Sequence, residues 1–184
     1  MRRLSAFLLL FALPGLAVGQ AWDQPQWYAA FELGNSDLDS EESSFQIDDS
    51  DTSFGLRFGY RVNSHVSIVG GYMDLGRFDT ELLADVDEEI TVVGERSSTA
   101  TAWTAQAELG WEFVGFLHAN VGVGVARWRL DLPAADGNDT QDTAPMVRLG
   151  LGMDVGGNTR LDLFAQHIAR LEANTAGIGL RFDF

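Results

Sequence analysis

Apolar side chains occupy every second position in eight segments of the chain. In the second segment, Phe54, Leu56 and Phe58 share one face of an extended backbone, whereas Arg57 lies on the other. Strict alternation of this kind predicts β-strands with one apolar and one polar face. The eight predicted strands are residues 26–34, 54–62, 66–73, 103–113, 119–126, 147–155, 160–166 and 177–184.

The content of the two faces predicts which one points inward. The apolar face carries large aromatic side chains, whereas the other carries Gly and a few long charged residues. The interior of an eight-stranded barrel is just wide enough for side chains to fill it, so Gly and scattered Arg and Glu fit it better. The strands are also close to the roughly 9–11 residues that cross a bilayer. We therefore predict an all-β fold, an eight-stranded antiparallel up-and-down transmembrane β-barrel.

The connections between the predicted strands alternate between short and long. Short links occur at Asn63-Ser64, Val114-Gly115 and Gly156-Gly157-Asn158. Outer-membrane barrels have short periplasmic turns and longer extracellular loops, so we expect both chain ends on the periplasmic side. The polar links are residues 35–51, 76–98 and 133–143, with a shorter one at 169–174.

Residues 1–21 have the composition of a secretory signal peptide. Arg2 and Arg3 precede an apolar run over residues 4–13, and small residues follow it. A membrane anchor is the alternative, but the run is shorter than the roughly 20 apolar residues that span a bilayer. We expect cleavage after Gly19 or Ala21, a barrel over residues 22–184, and a location in the bacterial outer membrane.

The composition excludes several classes of protein. The chain has 12 basic residues, all of them Arg, against 27 acidic residues, and its formal net charge is -15. A nucleic-acid-binding protein needs a basic surface, so no nucleic-acid partner is expected. Cys is absent, which excludes a disulfide scaffold and thiolate zinc sites.

Alternation also places charged residues of both signs in the lumen. A narrow interior tolerates charges only when they are paired, so we expect these residues to form ion pairs that plug the barrel. Which acid meets which Arg depends on the slope of the strand pairing. The alternative is an ion pathway lined by the same groups. The predicted lumenal ion network comprises Glu32, Arg57, Arg61, Glu108, Arg148, Asp154, Asp162 and Arg181.

Several short motifs together resemble the OmpA-like transmembrane-domain family of small outer-membrane barrels. They are Trp27-Tyr28, Gly59-Tyr60-Arg61, residues 70–76, residues 126–129 and the closing Arg181-Phe182-Asp183-Phe184. The resemblance implies an eight-stranded barrel with lumenal ion pairs. The chain departs from full-length members of this family in that we expect no periplasmic peptidoglycan-binding domain after Phe184, so we expect no tether to the cell wall.

The sequence departs from this family in its lumen. Members often carry a lumenal Glu in the third strand and an Arg-x-Glu motif in the seventh. The corresponding positions here are Val69, Phe164 and Gln166. We therefore expect the network to be rebuilt around three other residues, Glu108, Arg57 and Arg148.

Two further groups of residues predict contacts with the envelope. The alternating Ile178, Leu180, Phe182 and terminal Phe184 resemble the signal read by the barrel-assembly machinery, so we expect that machinery and periplasmic chaperones as transient partners. Arg pairs well with phosphate, which predicts that the group around Trp128 contacts lipopolysaccharide. A salt bridge to Asp131 is the alternative. The group comprises Arg127, Trp128 and Arg129.

The sequence offers little support for catalysis or metal binding. His65 and His118 are predicted at the periplasmic end and His167 at the opposite end, so they cannot share a metal. A lipid A-modifying enzyme needs a nucleophile or activated water beside a base. No Ser with a partnering carboxylate lies beside His167 in the sequence, although Ser97 and Ser98 could approach it in space. We expect no enzymatic activity and no cofactor.

The polar links are acidic enough to raise the question of Ca²⁺. Links 35–51 and 76–98 each contain seven acidic residues, but their spacing matches no EF-hand loop. Solvated acidic loops are the simpler interpretation. Apolar residues within 82–93 predict either an extension of strands three and four or a contact with a partner.

The sequence as a whole predicts a monomeric, non-catalytic outer-membrane barrel with a largely plugged lumen. Its expected role is envelope integrity or surface interaction through acidic extracellular loops, with outer-membrane lipids and lipopolysaccharide as its surroundings. The main alternative is a narrow channel or carrier for small solutes, and a lipid A enzyme is a further one. The carrier hypothesis needs a lumenal cavity, for which the small inward residues would be Gly122, Gly124, Gly150 and Gly152.

Overall fold

The structure, a computed structural model, describes residues 27–42, 45–86, 89–131 and 140–184. These residues form eight strands, each antiparallel to the next, and the last pairs with the first to close a barrel. The predicted up-and-down barrel is confirmed, whereas the predicted signal peptide lies outside the described residues. The strands are β1 (Trp27–Glu42), β2 (Phe45–Arg61), β3 (Val66–Val86), β4 (Glu89–Val114), β5 (Leu117–Asp131), β6 (Thr140–Gly156), β7 (Thr159–Ile168) and β8 (Ala173–Asp183).

Short turns join the strands at the end of the barrel where the described chain begins and finishes. They span residues 62–65, 115–116 and 157–158, at the three predicted short links. Trp27 and Phe184 hydrogen-bond to each other through their backbones at the same end. We call this the periplasmic end and the opposite one the extracellular end, following the usual orientation of such barrels. The described residues contain no helix that is long and apolar enough to cross a membrane.

The register of pairing gives the slope of the strands. A path through paired residues from Asp37 in β1 returns to β1 at Trp27, so the register slopes by ten residues per circuit (37 minus 27). Eight strands with such a slope are tilted against the barrel axis and enclose a narrow lumen. The path runs through Asp37, Asn174, His167, Val147, Val123, Ala107, Ile68, Tyr60 and Trp27.

Large apolar side chains cover the outer face of the barrel. Trp103 is 67% exposed although it lies within a long strand. Aromatic rings pair towards both ends: Trp27 with Tyr60 at a centroid distance of 4.8 Å, and Tyr72 with Trp103 at 5.0 Å. Aromatic girdles mark the two edges of the apolar band in membrane barrels. The Tyr72–Trp103 pair therefore marks the extracellular edge of the bilayer.

Two hairpins continue well beyond this edge. β3 has 21 residues and β4 has 26, so the prediction of long loops at 35–51 and 76–98 was wrong. Pairing of β1 with β2 and of β3 with β4 runs through almost all of both segments, because cross-strand partners override the low strand propensity of acidic residues. The interpretation of 82–93 as an extension of two strands agrees with this pairing. Most of the third predicted loop, residues 133–139 of 133–143, lies outside the described residues.

The polarity of the two faces reverses in the part of the barrel that leaves the bilayer. Its outer face meets water instead of lipid, so apolar side chains now gain by facing the lumen. Fourteen buried apolar side chains pack there, and we call them the extracellular core. They are Leu38, Met73, Leu75, Phe78, Ala100, Ala102, Ala126, Trp128, Leu130, Ala144, Met146, Ile168, Leu171 and Ala173.

The pairing between β2 and β3 is interrupted in this extracellular part. Regular pairing stops after Ile47 and resumes at Phe54. Within the interruption, Asp51 Oδ2 accepts a hydrogen bond from the backbone N–H of Arg77 at 2.7 Å. Asp49 Oδ2 likewise accepts one from the N–H of Asp79 at 2.9 Å. Two carboxylates thus take the place of backbone carbonyls and hold the two strands together.

Replacement of Asp51 with Asn is expected to loosen this junction, because a neutral amide is a weaker acceptor than a carboxylate. Hydrogen bonds from the N–H groups of Arg77 and Thr52 hold the pKa of the Asp51 carboxyl below its usual range. The stability that the Asp51 carboxylate contributes is therefore fully present above the ordinary pKa of Asp, and it is lost as the pH falls through the lowered pKa of Asp51. Hydrogen exchange of the Arg77 amide, corrected for intrinsic rate, measures both effects.

The matched control is Asp39→Asn, which changes an exposed acid that accepts no hydrogen bond among the described residues. Exchange at Arg77 is expected to remain at the wild-type rate in this variant. If D39N accelerates exchange as much as D51N, the carboxylate bonds do not hold the junction.

Candidate functional site

Buried charges meet in the middle of the lumen. β1, β2, β4 and β6 contribute Glu32, Arg57, Glu108 and Arg148, all of them buried. Arg57 Nη1 donates to Glu32 Oε1 at 2.9 Å, and its Nη2 donates to Glu108 Oε1. Arg148 Nη2 donates to Glu32 Oε1 at 2.6 Å, and its Nε lies 4.0 Å from Glu108 Oε1. Two carboxylates and two guanidinium groups form one neutral cluster, which we call the central network.

Neutral polar groups complete the coordination of Glu108. The Tyr28 hydroxyl donates to its Oε2 at 2.9 Å, and Gln106 Nε2 donates to its Oε1 at 3.0 Å. The Tyr28 ring reaches this position by lying directly against Gly59, where an added Cβ would overlap the ring. The Glu108 carboxylate therefore has partners on both oxygens, which a buried charge requires.

Two of the three residues that depart from the family pattern, Phe164 and Gln166, also contact the central network. The Arg148 guanidinium lies over the Phe164 ring, with its central carbon 4.1 Å from the ring centroid. Its Nη1 is 3.5 Å from Gln166 Oε1. The Gln166 amide thus borders Arg148 where the family has the Glu of its Arg-x-Glu motif, and the Phe164 ring does so where the family has the Arg. A ring face interacts favourably with a cation. The contacts agree with a network rebuilt around Glu108, Arg57 and Arg148.

Other residues of the predicted network lie at the periplasmic end instead. Arg61 Nη2 is 3.3 Å from Asp183 Oδ1, and Arg181 Nη2 donates to the same oxygen at 2.7 Å. The Arg181 guanidinium also covers the Tyr28 ring, 3.6 Å from its centroid. Arg181 therefore borders the central network through Tyr28, while its ion pair belongs to the mouth.

Asp154 lies still further out, at the periplasmic mouth. It accepts from Arg160 Nε at 2.9 Å and lies 2.9 Å from His118 Nε2. A polar cavity of about 400 Å³ opens here. Asp162 is buried between the two levels, and its Oδ1 has no hydrogen-bond partner among the described residues. Of the eight residues predicted as a single network, four thus lie in the central network and three at the periplasmic end, with Asp162 between them.

The inward-facing glycines do not provide the cavity that the carrier hypothesis needs. A Cβ on Gly122 would lie 2.9 Å from Gln106 Oε1, and one on Gly150 would lie 2.6 Å from the Asn120 side chain. The space above these glycines is therefore filled by neighbouring side chains. Gly124 and Gly152 are similarly crowded, by residues of β4 and β7 respectively.

The three residues predicted to contact lipopolysaccharide do not share one face. Trp128 is only 7% exposed and belongs to the extracellular core, so its inclusion was wrong. Alternate residues of a strand point to opposite faces, and the parity that places Ala126 inward also places Trp128 inward. Arg127 and Arg129 point outward. Arg129 Nε donates to Asp131 at 2.7 Å, which is the predicted alternative, and Arg127 Nη2 donates to Gln141 Oε1 at 3.4 Å.

The C-terminal strand lies on the lipid-facing wall. Its alternate apolar residues are all exposed on the outer face, and Phe184 N–H donates to the Trp27 carbonyl at 2.9 Å. β8 is the strand whose pairing with β1 closes the barrel. A role in assembly stays a prediction. The residues concerned are Ile178, Leu180, Phe182 and Phe184.

The histidines do not form a metal site in the described part of the chain. No group of three or more His, Asp or Glu residues there could hold a metal ion. His167 lies between Val147 and Asn174 in the sheet, so no hydroxyl nucleophile is its direct cross-strand neighbour. Ser97 and Ser98 lie on β4, where they pair with Asp79 and Phe78 of β3.

Comparison with known proteins assigns the barrel to a family. Residues 4–184 match the model of the family described as outer membrane protein beta-barrel domain. The chain belongs to this family. Membership of this family places the protein in the bacterial outer membrane. No curated protein sequence matches this chain significantly.

Several solved structures share the fold of this outer-membrane barrel. Ail, the attachment invasion locus protein of Yersinia pestis, has 12% identity and a TM-score of 0.56, over 88% of this chain and 99% of Ail. OprG from Pseudomonas aeruginosa has 11% identity and a TM-score of 0.57, over 88% and 98%. The N-terminal barrel of Pseudomonas aeruginosa OprF has 15% identity and a TM-score of 0.55, over 88% and 99%. At such identities the similarity concerns the fold alone.

Glu108→Gln tests whether the central network stabilises this outer-membrane barrel. The variant keeps the side-chain shape but leaves Arg57 and Arg148 to share one carboxylate, and loss of one partner from a buried ion pair costs about 3–5 kcal/mol. We expect the free energy of unfolding in lipid vesicles, measured by urea titration, to fall by that amount. Asp142→Asn breaks the exposed pair with Arg170 and is expected to leave the stability nearly unchanged. Equal effects of the two variants would contradict the assignment.

Proposed function

We propose that this protein is a non-catalytic outer-membrane barrel with a plugged lumen, which supports envelope integrity or binds partners through its acidic extracellular surface. One observation carries the proposal: two successive layers of buried side chains occupy the lumen. The central network is the first layer, and the extracellular core is the second.

The two layers oppose ion passage for different physical reasons. An ion that enters the central network must replace contacts between buried charges, and breaking such a pair costs about 3–5 kcal/mol. Beyond it, Leu38, Phe78 and Leu130 present only hydrocarbon. A charge without polar partners is strongly disfavoured there. Two barriers in series support a closed lumen.

A narrow channel is the second candidate, and a specific observation favours it. A cavity of about 100 Å³ is lined both by His118 near the periplasmic mouth and by Glu108 of the central network. Solutes could therefore approach the network from the periplasm. Passage would still require a rearrangement of both layers.

Conductance in planar bilayers separates the two candidates. We expect purified wild-type protein to give no regular conductance steps, and we expect Trp128→Ala combined with Arg148→Ala to raise the conductance by thinning both layers. Trp103→Ala is the matched control, because Trp103 faces lipid. Stable unitary channels from the wild type would overturn the plugged lumen.

The surface charge narrows the class of partner. Exposed carboxylates lie on the extracellular part of several strands, and the formal net charge of the whole chain is -15. A surface of this charge attracts cationic partners and repels polyanionic ones. Ail has been crystallised with the heparin analogue sucrose octasulfate, but the charge of the present surface does not favour a ligand of that kind. The exposed acids among the described residues include Asp37, Asp39, Asp79, Asp131 and Asp142.

We also propose that Arg127 and Arg129 contact lipopolysaccharide phosphates. Arg127 is the direct cross-strand neighbour of Trp103, which lies at the extracellular edge of the bilayer. Arg129 is two residues further out along β5. Both side chains point outward at the height of the head groups, and Arg binds phosphate through several donors at once.

Replacing both Arg127 and Arg129 with Gln is expected to reduce the lipopolysaccharide that copurifies with the protein, because two cationic contacts are lost. Quantification of lipid A by mass spectrometry measures the effect. Arg77→Gln changes another exposed Arg, on β3, and serves as the control. Unchanged retention in the double variant would refute the contact.

A further inference from the structure

The polar cavity at the periplasmic mouth is a pocket that opens towards the periplasm. Its volume is about 400 Å³, and Gly115 and Gly157 of two periplasmic turns line it. A smaller cavity of about 100 Å³ shares Arg61 and His118 with it and reaches up to Glu108 of the central network. The larger volume lies in the range of small-molecule sites, about 300–1,000 Å³. A small molecule can therefore enter the mouth from the periplasm without crossing the central network.

One side of the mouth carries an excess of positive charge. β2 and β8 place two guanidinium groups and one carboxylate on this side, those of Arg61, Arg181 and Asp183. Both guanidinium groups donate to the same oxygen, Asp183 Oδ1. Two positive charges thus share one negative charge, and we call this the cationic side.

The other side of the mouth carries an excess of negative charge. β4, β6 and β7 contribute two carboxylates and one guanidinium group, those of Glu112, Asp154 and Arg160. Arg160 pairs with Asp154, whereas the Glu112 carboxylate has no hydrogen bond or ion pair among the described residues. With His118 counted as neutral, one negative charge remains, and Asp162 adds another deeper along β7. We call this the anionic side.

The two sides face each other across the lumen. β8 and β2 are the neighbours of β1, and β4 and β6 are the neighbours of β5, which lies opposite β1 in a closed ring of eight strands. Arg61 pairs with Ser67, and Ser67 pairs with Glu108. Because the register slopes by ten residues over eight strands, these two steps climb by about 2.5 residues. Glu112 therefore lies within about two residues of the height of Arg61.

A pocket with opposite charges on its two sides selects ligands by the distribution of their charge. A ligand with a single charge is attracted by one side and repelled by the other, whereas a ligand with an ammonium at one end and a carboxylate at the other is attracted by both. Peptides with free termini have this distribution, and their amide groups can hydrogen-bond to the side chains of Asn158 and Thr159, which also line the cavity.

We propose that the periplasmic mouth binds a short peptide with free termini. Its carboxylate lies at Arg61 on the cationic side, because Arg binds carboxylates through several donors at once. Its ammonium lies at Glu112 on the anionic side, where the carboxylate is available. This binding site goes beyond the proposed function and is independent of it, since the pocket lies outside both layers that fill the lumen.

Triglycine and two of its derivatives test the proposal on the full barrel in a non-ionic detergent. N-acetyl-triglycine lacks the ammonium, and triglycine amide lacks the carboxylate. Each compound is titrated into ¹⁵N-labelled protein, and the chemical shifts of the Gly115 and Gly157 amides give the dissociation constant. We expect triglycine to bind roughly fivefold more tightly than either derivative, the effect of losing one partly exposed ion pair. Absence of any shift with triglycine, or equal binding of the three compounds, would overturn the proposal.

Variants of Glu112 test the ammonium contact. Glu112→Gln leaves the ion pairs of the mouth intact and is expected to weaken the binding of triglycine roughly fivefold. Glu112→Arg is expected to reverse the selectivity, so that N-acetyl-triglycine binds more tightly than triglycine. Glu172→Gln makes the same change as Glu112→Gln at an exposed position of the extracellular end and is expected to bind triglycine like the wild type. Folding of each variant is checked by its heat-modifiable mobility on gels.

Two results with these variants would contradict the contact: wild-type affinity for triglycine in the folded Glu112→Gln protein, or an equal loss of affinity in Glu112→Gln and Glu172→Gln. The bilayer conductance of Glu112→Gln is expected to match that of the wild type. A failure of peptide binding is therefore distinct from a failure of the plugged lumen, which the wild-type conductance alone would reveal.

Discussion

Closure of the strand ladder is the constraint on which the rest of this structure depends. Lipid offers no hydrogen-bond partner to a backbone N–H or C=O, so a sheet that crosses a bilayer must have no open edge. The pairing of β8 with β1 meets this requirement. Closure with eight strands and a slope of ten residues then leaves a lumen that side chains alone can fill. The buried ion pairs follow from that narrowness, because buried charges on the inward face must be paired.

The alternation of side chains along one strand continues from the lipid into the water, but the face that carries the apolar residues changes. In β5, Val123 and Val125 face lipid while Gly122 and Gly124 face the lumen. Further along the strand, Arg127 and Arg129 face outward while Trp128 and Leu130 are buried inside. The backbone does not change; only the medium around the outer face does. An apolar lumen beyond the bilayer is thus the arrangement of a soluble barrel placed on top of a membrane barrel.

Sequence parity could predict the face on which a side chain lies but not its height. Strand number, short turns and inward charges followed from alternation and turn spacing alone. Arg61 and Asp154 were predicted in the same network as Arg57 because all three face inward, yet height along the barrel depends on the slope, which only the pairing reveals. The acidic hairpins were missed for a related reason. Their composition resembles loops, and only pairing across each hairpin, such as Glu42 with Phe45 and Val86 with Glu89, overrides the low strand propensity of the acidic residues.

Because side chains occupy most of the lumen, the outer wall, the extracellular surface and the periplasmic mouth are the parts of the barrel that remain for specific binding. The outer wall is not uniform. β5 carries Arg127 and Arg129 at the height of the head groups, whereas β1 and β7 carry Asp37 and His167 beside a groove. Because exposed charges separated by more than about 8–10 Å are largely screened at physiological salt, the two regions are electrostatically independent. Under the proposed function, a barrel with such an uneven wall can still bind different molecules on its different sides, which is a physical route to envelope integrity that does not need a pore.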